Sequence, residues 1–369
     1  MENTEIKTNE KQYRNKITLM SFILAILVLI RHACNYTVYN ISNSLFFYVQ
    51  RFFTMLTDIA VPTFFMLSGY LFFCNFNYSN LLNKYKKRVV SILIPYLIWS
   101  FLSYLYFLLL SSIPQIGKNL NSDNYVVFSF TDMISSVLFG KYNAFWFLQN
   151  LMVYIILAPI FFLILKNKHI GYTPAIVTLI IGFFLNKFNV QNNVNSGFLK
   201  FILNGQLYSY FTLYLLGAYF GACFKDKLIG LKFKKTYCYI ATFLIIIISV
   251  LRVITNDFAT EIFTLYYIIM AAQSILIWIS LDFLRVSKCC WIFENSFFIY
   301  CTHSLILEGI EKLFFIIFKN TFHGAVIDFI FAPIITITII LLLSYFLSKY
   351  TPKIWKVICG GRGYSKKEK

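Results

Sequence analysis

The residue of this chain with the clearest chemical potential is His32, which lies inside an apolar segment near the N-terminus. An ionisable side chain at membrane depth is costly, so it usually faces a protein interior or a wet cavity and serves a function. Because histidine titrates near neutral pH, His32 could accept and return a proton as a general base. The alternative is a neutral ring that is hydrogen-bonded to a neighbouring helix. Asp58 and Tyr70 follow in the next apolar segment and are candidate polar partners of the imidazole.

Two further groups of residues have either a structural role or a role in ligand binding. Lys87 and Arg88 belong to a basic cluster before the third apolar segment, where they either anchor the topology or bind phosphate oxygens. Ser68 and Gly69 precede Tyr70 in the run Val61–Tyr70, in which proline and glycine can bend a helix or allow close approach of another helix or a ligand.

Polar and aromatic side chains in later segments are candidates for binding a second substrate. Trp146 and Gln149 open the fourth apolar segment, and His303 lies inside the ninth. An aromatic belt at the membrane surface explains the tryptophan without any function. The amide of Gln149 and the ring of His303 still require polar partners.

Composition identifies the elements that must position these residues. The chain of 369 residues is 59% hydrophobic and 13% charged, which is typical of a polytopic membrane protein and not of soluble domains. About 20 apolar residues cross a bilayer, so the sequence predicts an all-α integral membrane protein, a bundle of about ten transmembrane helices. The predicted spans are 17–37, 45–75 (with an interfacial start), 89–112, 143–165, 172–186, 203–224, 236–254, 260–283, 291–311 and 325–348.

The charge pattern predicts the topology and excludes other classes. Lys and Arg concentrate in every second segment between the spans, which places both termini in the cytoplasm of a multi-pass plasma-membrane protein. The net charge of +18 therefore indicates contact with membrane lipids, and nucleic acid is not an expected partner. The eight cysteines show no CxxC pairs, so no metal is expected.

These spans divide the chain into a cytoplasmic tail (1–16), a transmembrane domain (17–350) and a basic cytoplasmic tail (351–369). The longest loop, from about Ser112 to Tyr142, has room for a small lid at most.

In this order, the motifs resemble the membrane acyltransferase-3 family, which includes bacterial O-acetyltransferases of surface polysaccharide and of enterobacterial common antigen. The resemblance covers roughly Arg14 to Tyr350. It rests on His32, Val61–Tyr70, Tyr85–Arg88 leading to Pro95–Trp99, Phe145–Leu148 with Pro159, Leu216 and Gly217 with Gly221, and Ser296–Tyr300 with His303.

The resemblance implies a ten-helix bundle that passes an acyl group, most simply acetyl, from cytoplasmic acyl-CoA to a hydroxyl of a cell-surface or lipid-linked glycan. It also implies that His32 is the catalytic residue and that Lys87 and Arg88 engage the acetyl-CoA donor. Ser68, Gly69 and Tyr70 would line the acyl path.

The chain departs from the family pattern at two positions. Ser21 and Ser91 stand where the family often has arginine, which affects the predicted donor site. A transporter or flippase for a lipid-linked saccharide is the main alternative, and a catalytically inactive relative is the other. A second copy of the chain is left open as a partner.

Overall fold

The computed structural model describes residues 2–34, 39, 44–113, 125–142, 145–194, 197–258, 262–284 and 289–362. These residues form an all-α fold, as the sequence predicts. Residues 35–37 of the predicted first span, 114–124 of the Ser112–Tyr142 loop and 363–369 of the C-terminal tail lie outside the described residues. The longer helices are α1 (Glu2–Ala33), α2 (Leu45–Thr57), α3 (Ala60–Phe73), α4 (Leu81–Arg88), α5 (Ile94–Ser112), α6 (Phe130–Phe139), α7 (Trp146–Leu157), α8 (Thr173–Lys187), α9 (Gly205–Cys223), α10 (Lys235–Ile254), α11 (Phe263–Ser280), α12 (Ser296–Phe318), α13 (Phe322–Tyr350) and α14 (Pro352–Ile358).

Within the described residues, seven helical segments are long and apolar enough to cross a membrane, so the protein is a multi-pass membrane protein. They are Asn9–Ala33, Leu45–Phe73, Tyr78–Ser112, Trp146–Leu165, Lys235–Ile254, Phe263–Leu284 and Phe322–Tyr350. Each corresponds to a predicted span.

The predicted number of about ten spans is not confirmed, because three predicted spans correspond to helices of another character. Helix α8 has only 15 residues. Helix α9 carries four Tyr and three Gly residues, and most of its side chains are buried against other helices. The C-terminal half of α12 carries three charged residues, Glu308, Glu311 and Lys312. In each case the segment is helical, as predicted, but its length or its polarity differs from that of a membrane span.

The chain forms two compact units, of which the first comprises residues 1–80 and 153–296. Its centre is the contact between α3 and α9, where glycines bring the two backbones together. A Cβ atom at Gly69 would overlap the Tyr214 carbonyl, and one at Gly217 would overlap the Met66 carbonyl. Small residues allow this approach between membrane helices, since lipid provides no hydrophobic force to press them together. Leu24 and Val28 of α1 are buried in a core that also includes Ile59 and Ile277.

The second unit comprises residues 81–152 and 297–369. Tyr104 and Phe107 of α5 are buried in a core with Val126 and Tyr142, at either end of a segment that contains α6. Ser129 caps the N-terminus of α6 by accepting a hydrogen bond from the Asp132 amide. The predicted long loop therefore contains a ten-residue helix.

Candidate functional site

His32 lies in the last turn of α1 and its side chain is exposed. The candidate span Asn9–Ala33 ends one residue later. The imidazole is thus at the end of a membrane helix and not midway along it. Such a position can be reached by an acceptor at the membrane surface.

A network of two arginines and two aspartates lies beside this end of α1. The Arg31 Nε donates to Asp58 Oδ1 at 3.1 Å, and Arg252 Nη2 donates to Asp58 Oδ2 at 2.9 Å. Arg252 also forms a two-point pair with Asp257, with N–O distances of 2.7 Å and 2.9 Å. We call Arg31, Asp58, Arg252 and Asp257 the Asp58 network. The Arg252 side chain is only 3% exposed, so its charge is neutralised almost entirely by the protein.

Local backbone features place the two carboxylates of this network. Asp58 lies at the break between α2 and α3, and the α-helical hydrogen bond to its carbonyl would require an amide hydrogen at Pro62. Proline has no such hydrogen, which favours a break there. Asp257 has a φ of 60°, a conformation that short polar residues tolerate, and this turn brings its carboxylate back to Arg252.

At the N-terminal half of α1, the first unit contains a small apolar cavity of about 120 Å³. Tyr13, Tyr70 and Trp278 line it, together with Thr63 and Ser274, whose hydroxyls are hydrogen-bonded to each other at 2.8 Å. The Tyr13 and Tyr70 rings are 6.3 Å apart, and neither hydroxyl makes a hydrogen bond of normal length with a described residue. The two phenol hydroxyls could therefore form hydrogen bonds with a ligand bound in the cavity.

A second, more polar cavity of about 260 Å³ adjoins the first, since Tyr13, Leu228 and Trp278 line both. Lys16 lies on its wall, where it pairs with Asp282 at 2.6 Å and lies 3.9 Å from the centre of the Trp278 ring. We call the two cavities the apolar chamber and the polar chamber.

The chambers and His32 lie at opposite ends of α1. At 1.5 Å per residue, the 19 residues from Tyr13 to His32 correspond to about 28 Å. Tyr70 contacts Tyr13, so it is at the chamber end and cannot orient the His32 ring as the sequence interpretation suggested. Asp58 is at the His32 end, but its observed partners are Arg31 and Arg252. A role of Asp58 beside His32 stays a prediction.

Within the run Val61–Tyr70, the structure shows what Gly69 contacts. Its position against the Tyr214 backbone is explained by helix packing. Ser68 is half-buried on the same helix. Their predicted part in an acyl path stays untested.

The remaining candidate residues lie in the second unit. Lys87 and Arg88 form the last turn of α4, with Lys87 exposed and Arg88 half-buried. Trp146 is 41% exposed. Gln149 donates to Tyr96 Oη at 2.9 Å and also to the Phe139 carbonyl, so its amide fastens the end of α6.

His303 is buried at 1% exposure in α12. Its Nδ1–H donates to the carbonyls of Ile299, at 3.1 Å, and Tyr300, at 2.8 Å. This arrangement matches a core histidine whose proton is bound within its own helix. Its predicted contact with substrate stays a prediction.

Comparison with known protein families decides the class of the protein. A family model described as an acyltransferase domain, Acyl_transf_3, matches residues 14–349 of the 369. The chain belongs to the membrane acyltransferase-3 family. This confirms the resemblance that the motifs indicated. No curated protein and no solved structure matches the chain.

Membership makes the protein a membrane acyltransferase, which uses an acyl donor and an acceptor within a membrane. Sequence reasoning singled out His32 and Asp58, whose roles stay predictions, but not Arg252, Asp257 or Tyr13. Arg252 is an ionisable residue within a span, and that position is the signal by which the sequence could have singled it out. Tyr13 precedes the predicted first span and carried no signal.

Proposed function

We propose that this acyltransferase moves an acyl group, most simply acetyl, from cytoplasmic acyl-CoA to a hydroxyl of a cell-surface or lipid-linked glycan at the plasma membrane. Both termini lie in the cytoplasm under this proposal. The observation that carries it is the position of His32 in a membrane acyltransferase, at the end of a span and beside an arginine that is paired with Asp58.

The reaction needs one group that moves a proton. An imidazole nitrogen of His32 takes the proton from the acceptor hydroxyl, and the oxygen attacks the thioester carbonyl carbon. The new C–O bond forms, the C–S bond breaks, and the CoA thiolate receives the proton from the imidazolium. General-base assistance of this kind typically contributes about 10²–10⁴-fold to the rate.

Electrostatics around His32 support this role. Arg31 is its chain neighbour, and an unpaired cation there would disfavour the imidazolium that forms when His32 takes the proton. Asp58 offsets that charge by pairing with Arg31 at 3.1 Å. Asp58 thereby assists the proton transfer without touching the substrate.

The donor enters at the other end of the first helix in this proposal. The apolar chamber, beside Tyr13 and Tyr70, is the start of an acyl path that leads along α1 to His32. Lys87 and Arg88 bind the donor phosphates, because guanidinium and ammonium groups form strong charge-assisted hydrogen bonds with phosphate. Trp146, Gln149 and His303 are assigned to the acceptor.

The test is acyl transfer from acyl-CoA to envelope glycan by membranes or proteoliposomes that contain the wild-type protein or His32→Gln. We expect the variant to lose at least about 100-fold in rate, the lower end of a general-base contribution. His169→Gln, at an exposed histidine outside the proposed site, is the matched control for protein level and folding. Equal transfer by wild type and His32→Gln, at equal amounts of folded protein, would refute the catalytic role of His32.

The alternative transporter predicts a different result. Glycan movement across the proteoliposome membrane without any CoA-dependent acyl transfer would favour a flippase.

A further inference from the structure

The C-terminal segment of the second unit folds back onto the start of α5. After α14, Gly360 and Gly361 have φ values of 61° and 75°, which form a left-handed turn. A Cβ atom at Gly360 would overlap the backbone of Ser91, so only glycine allows this approach. The Trp99 Nε1–H donates to the Ile358 carbonyl at 3.0 Å, in a buried hydrogen bond. The turn is therefore held by two contacts, one with the backbone of Ser91 and one with the side chain of Trp99.

Ser91 lies in a segment of unusual helical geometry. Residues Val89–Leu93 form a π-helix between α4 and α5. π-Helical segments are rare in proteins, and those that do occur are often at functional sites. Arg88 is the residue just before it, and it lies about one helical turn from Ser91.

The turn delivers Arg362 to this place. Its guanidinium lies 4.6 Å from the centre of the Phe297 ring, and the side chain has no ion pair or hydrogen bond with any other residue in the described part of the chain. Burial, followed by repulsion from Arg88, lowers the pKa of Arg362 to about 10. The groups that oppose this shift are the thiols of Cys301 and Cys359, not carboxylates.

Because Gly360 packs against Ser91, the segment that carries Arg362 lies beside the segment that carries Arg88. Two neighbouring guanidinium groups are stabilised by an anion between them. Arginine forms paired hydrogen bonds with phosphate oxygens, and a half-buried cation gains more from such a partner than an exposed one. A carboxylate of the protein would satisfy only one face of the pair. A phosphate presents oxygens in several directions and can contact both.

We propose that Arg362 and Arg88 form a phosphate-binding site, and that its ligand is a phosphate group of the acyl-CoA donor. The identity of the donor rests on the proposed function, whereas the phosphate chemistry rests on the two arginines. A phospholipid headgroup carries the same chemistry, so the experiment separates the two sources.

The experiment measures binding of CoA to the full-length protein in phosphatidylcholine nanodiscs by titration calorimetry. We expect Arg362→Gln to raise the Kd for CoA at least tenfold and Arg362→Lys to give a smaller increase, because lysine keeps the charge but loses the paired geometry. Lys356→Gln is the matched control, since Lys356 is an exposed cation on the same C-terminal segment. The Kd of the Lys356→Gln variant for CoA should stay within twofold of the wild-type value.

Two further arms distinguish the sources and the two proposals. Pantetheine has no phosphate and should bind the wild type and Arg362→Gln equally. If the site takes the donor, nanodiscs with phosphatidylglycerol should leave the CoA Kd unchanged. If the site takes a headgroup, phosphatidylglycerol should compete with CoA for Arg362 and raise the CoA Kd. The first result supports the donor assignment and the second overturns it.

Failure of this inference differs from failure of the proposed function. Wild-type acyl transfer with an unchanged CoA Kd and KM in a folded Arg362→Gln variant overturns the phosphate site and leaves the function intact. Absence of both transfer and CoA binding in the wild type overturns the proposed function and the donor assignment together.

Discussion

The Asp58 network allows a sharp test of whether Asp58 serves catalysis or only the fold. Both of its aspartates pair with the buried Arg252, but only Asp58 also pairs with Arg31, the chain neighbour of His32. Asp58→Asn and Asp257→Asn therefore form a matched pair of variants. Each removes one negative charge and keeps the size of the side chain.

The structure predicts a loss of stability in both variants. Asp257 makes two charge-assisted hydrogen bonds with Arg252, at 2.7 Å and 2.9 Å, and Asp58 makes one with each of two arginines. A hydrogen bond to a charged group is worth about 1.5–3 kcal/mol, and asparagine keeps part of it. We expect each variant to lose about 2 kcal/mol in free energy of unfolding.

Only Asp58→Asn should slow the reaction. It leaves the Arg31 charge uncompensated, and a like charge about 10 Å away destabilises an imidazolium by about 1.7 kcal/mol at an effective dielectric of about 20. That energy corresponds to about a 20-fold lower rate per folded molecule. Asp257→Asn leaves the Arg31–Asp58 pair in place, so its rate per folded molecule should stay within about twofold of the wild type.

The assay is acyl transfer normalised to folded protein, measured by size-exclusion chromatography and thermal unfolding in the same detergent. Equal rates per folded molecule in both variants would refute the electrostatic reasoning and leave Asp58 a structural residue. A 20-fold loss in both would show that the whole network, and not the Arg31 pair, supports the reaction.

Two further predictions concern the first unit. Gly217→Ala should lower its free energy of unfolding by about 1–3 kcal/mol because the added methyl overlaps the Met66 carbonyl, whereas Gly230→Ala, with open space around it, should leave the melting temperature unchanged. Tyr70→Phe and Tyr13→Phe should lower acyl transfer but not the melting temperature, since neither hydroxyl has a hydrogen bond of normal length to lose. Unchanged transfer in both phenylalanine variants would exclude the apolar chamber from the acyl path.

The length of the apolar runs was sufficient to predict the seven candidate membrane-spanning segments of the described residues. The sequence also indicates the break within the second segment. The sequence shows Pro62 four residues after Asp58, and the helix is interrupted at that point. Helix α9 was harder to place because a helix buried among other helices needs neither high hydropathy nor lipid-facing residues. Its glycines are explained only by the contact with α3 that they permit.

Sequence reasoning can single out a candidate site residue that is anomalous in its own segment, but not one whose surroundings depend on a distant partner. His32 is such an anomaly. Arg252 follows a long apolar run and resembles a topology charge until the fold brings it to Asp58 and Asp257. Arg362 follows the last span in a basic tail, and only the turn at Gly360 shows that this segment returns to Ser91, about one helical turn from Arg88.

Helix α1 connects the two chemical regions of the first unit. At one end Lys16 pairs with Asp282 beside the polar chamber, and at the other Arg31 pairs with Asp58 beside His32. The 16 residues from Lys16 to His32 correspond to about 24 Å, which approaches the roughly 30 Å thickness of the hydrocarbon core. Under the proposed function, the acyl group of a donor that enters at the first end passes along nearly the whole helix before His32 acts on the acceptor. The ion pairs at both ends fix α1 against its neighbours over that distance.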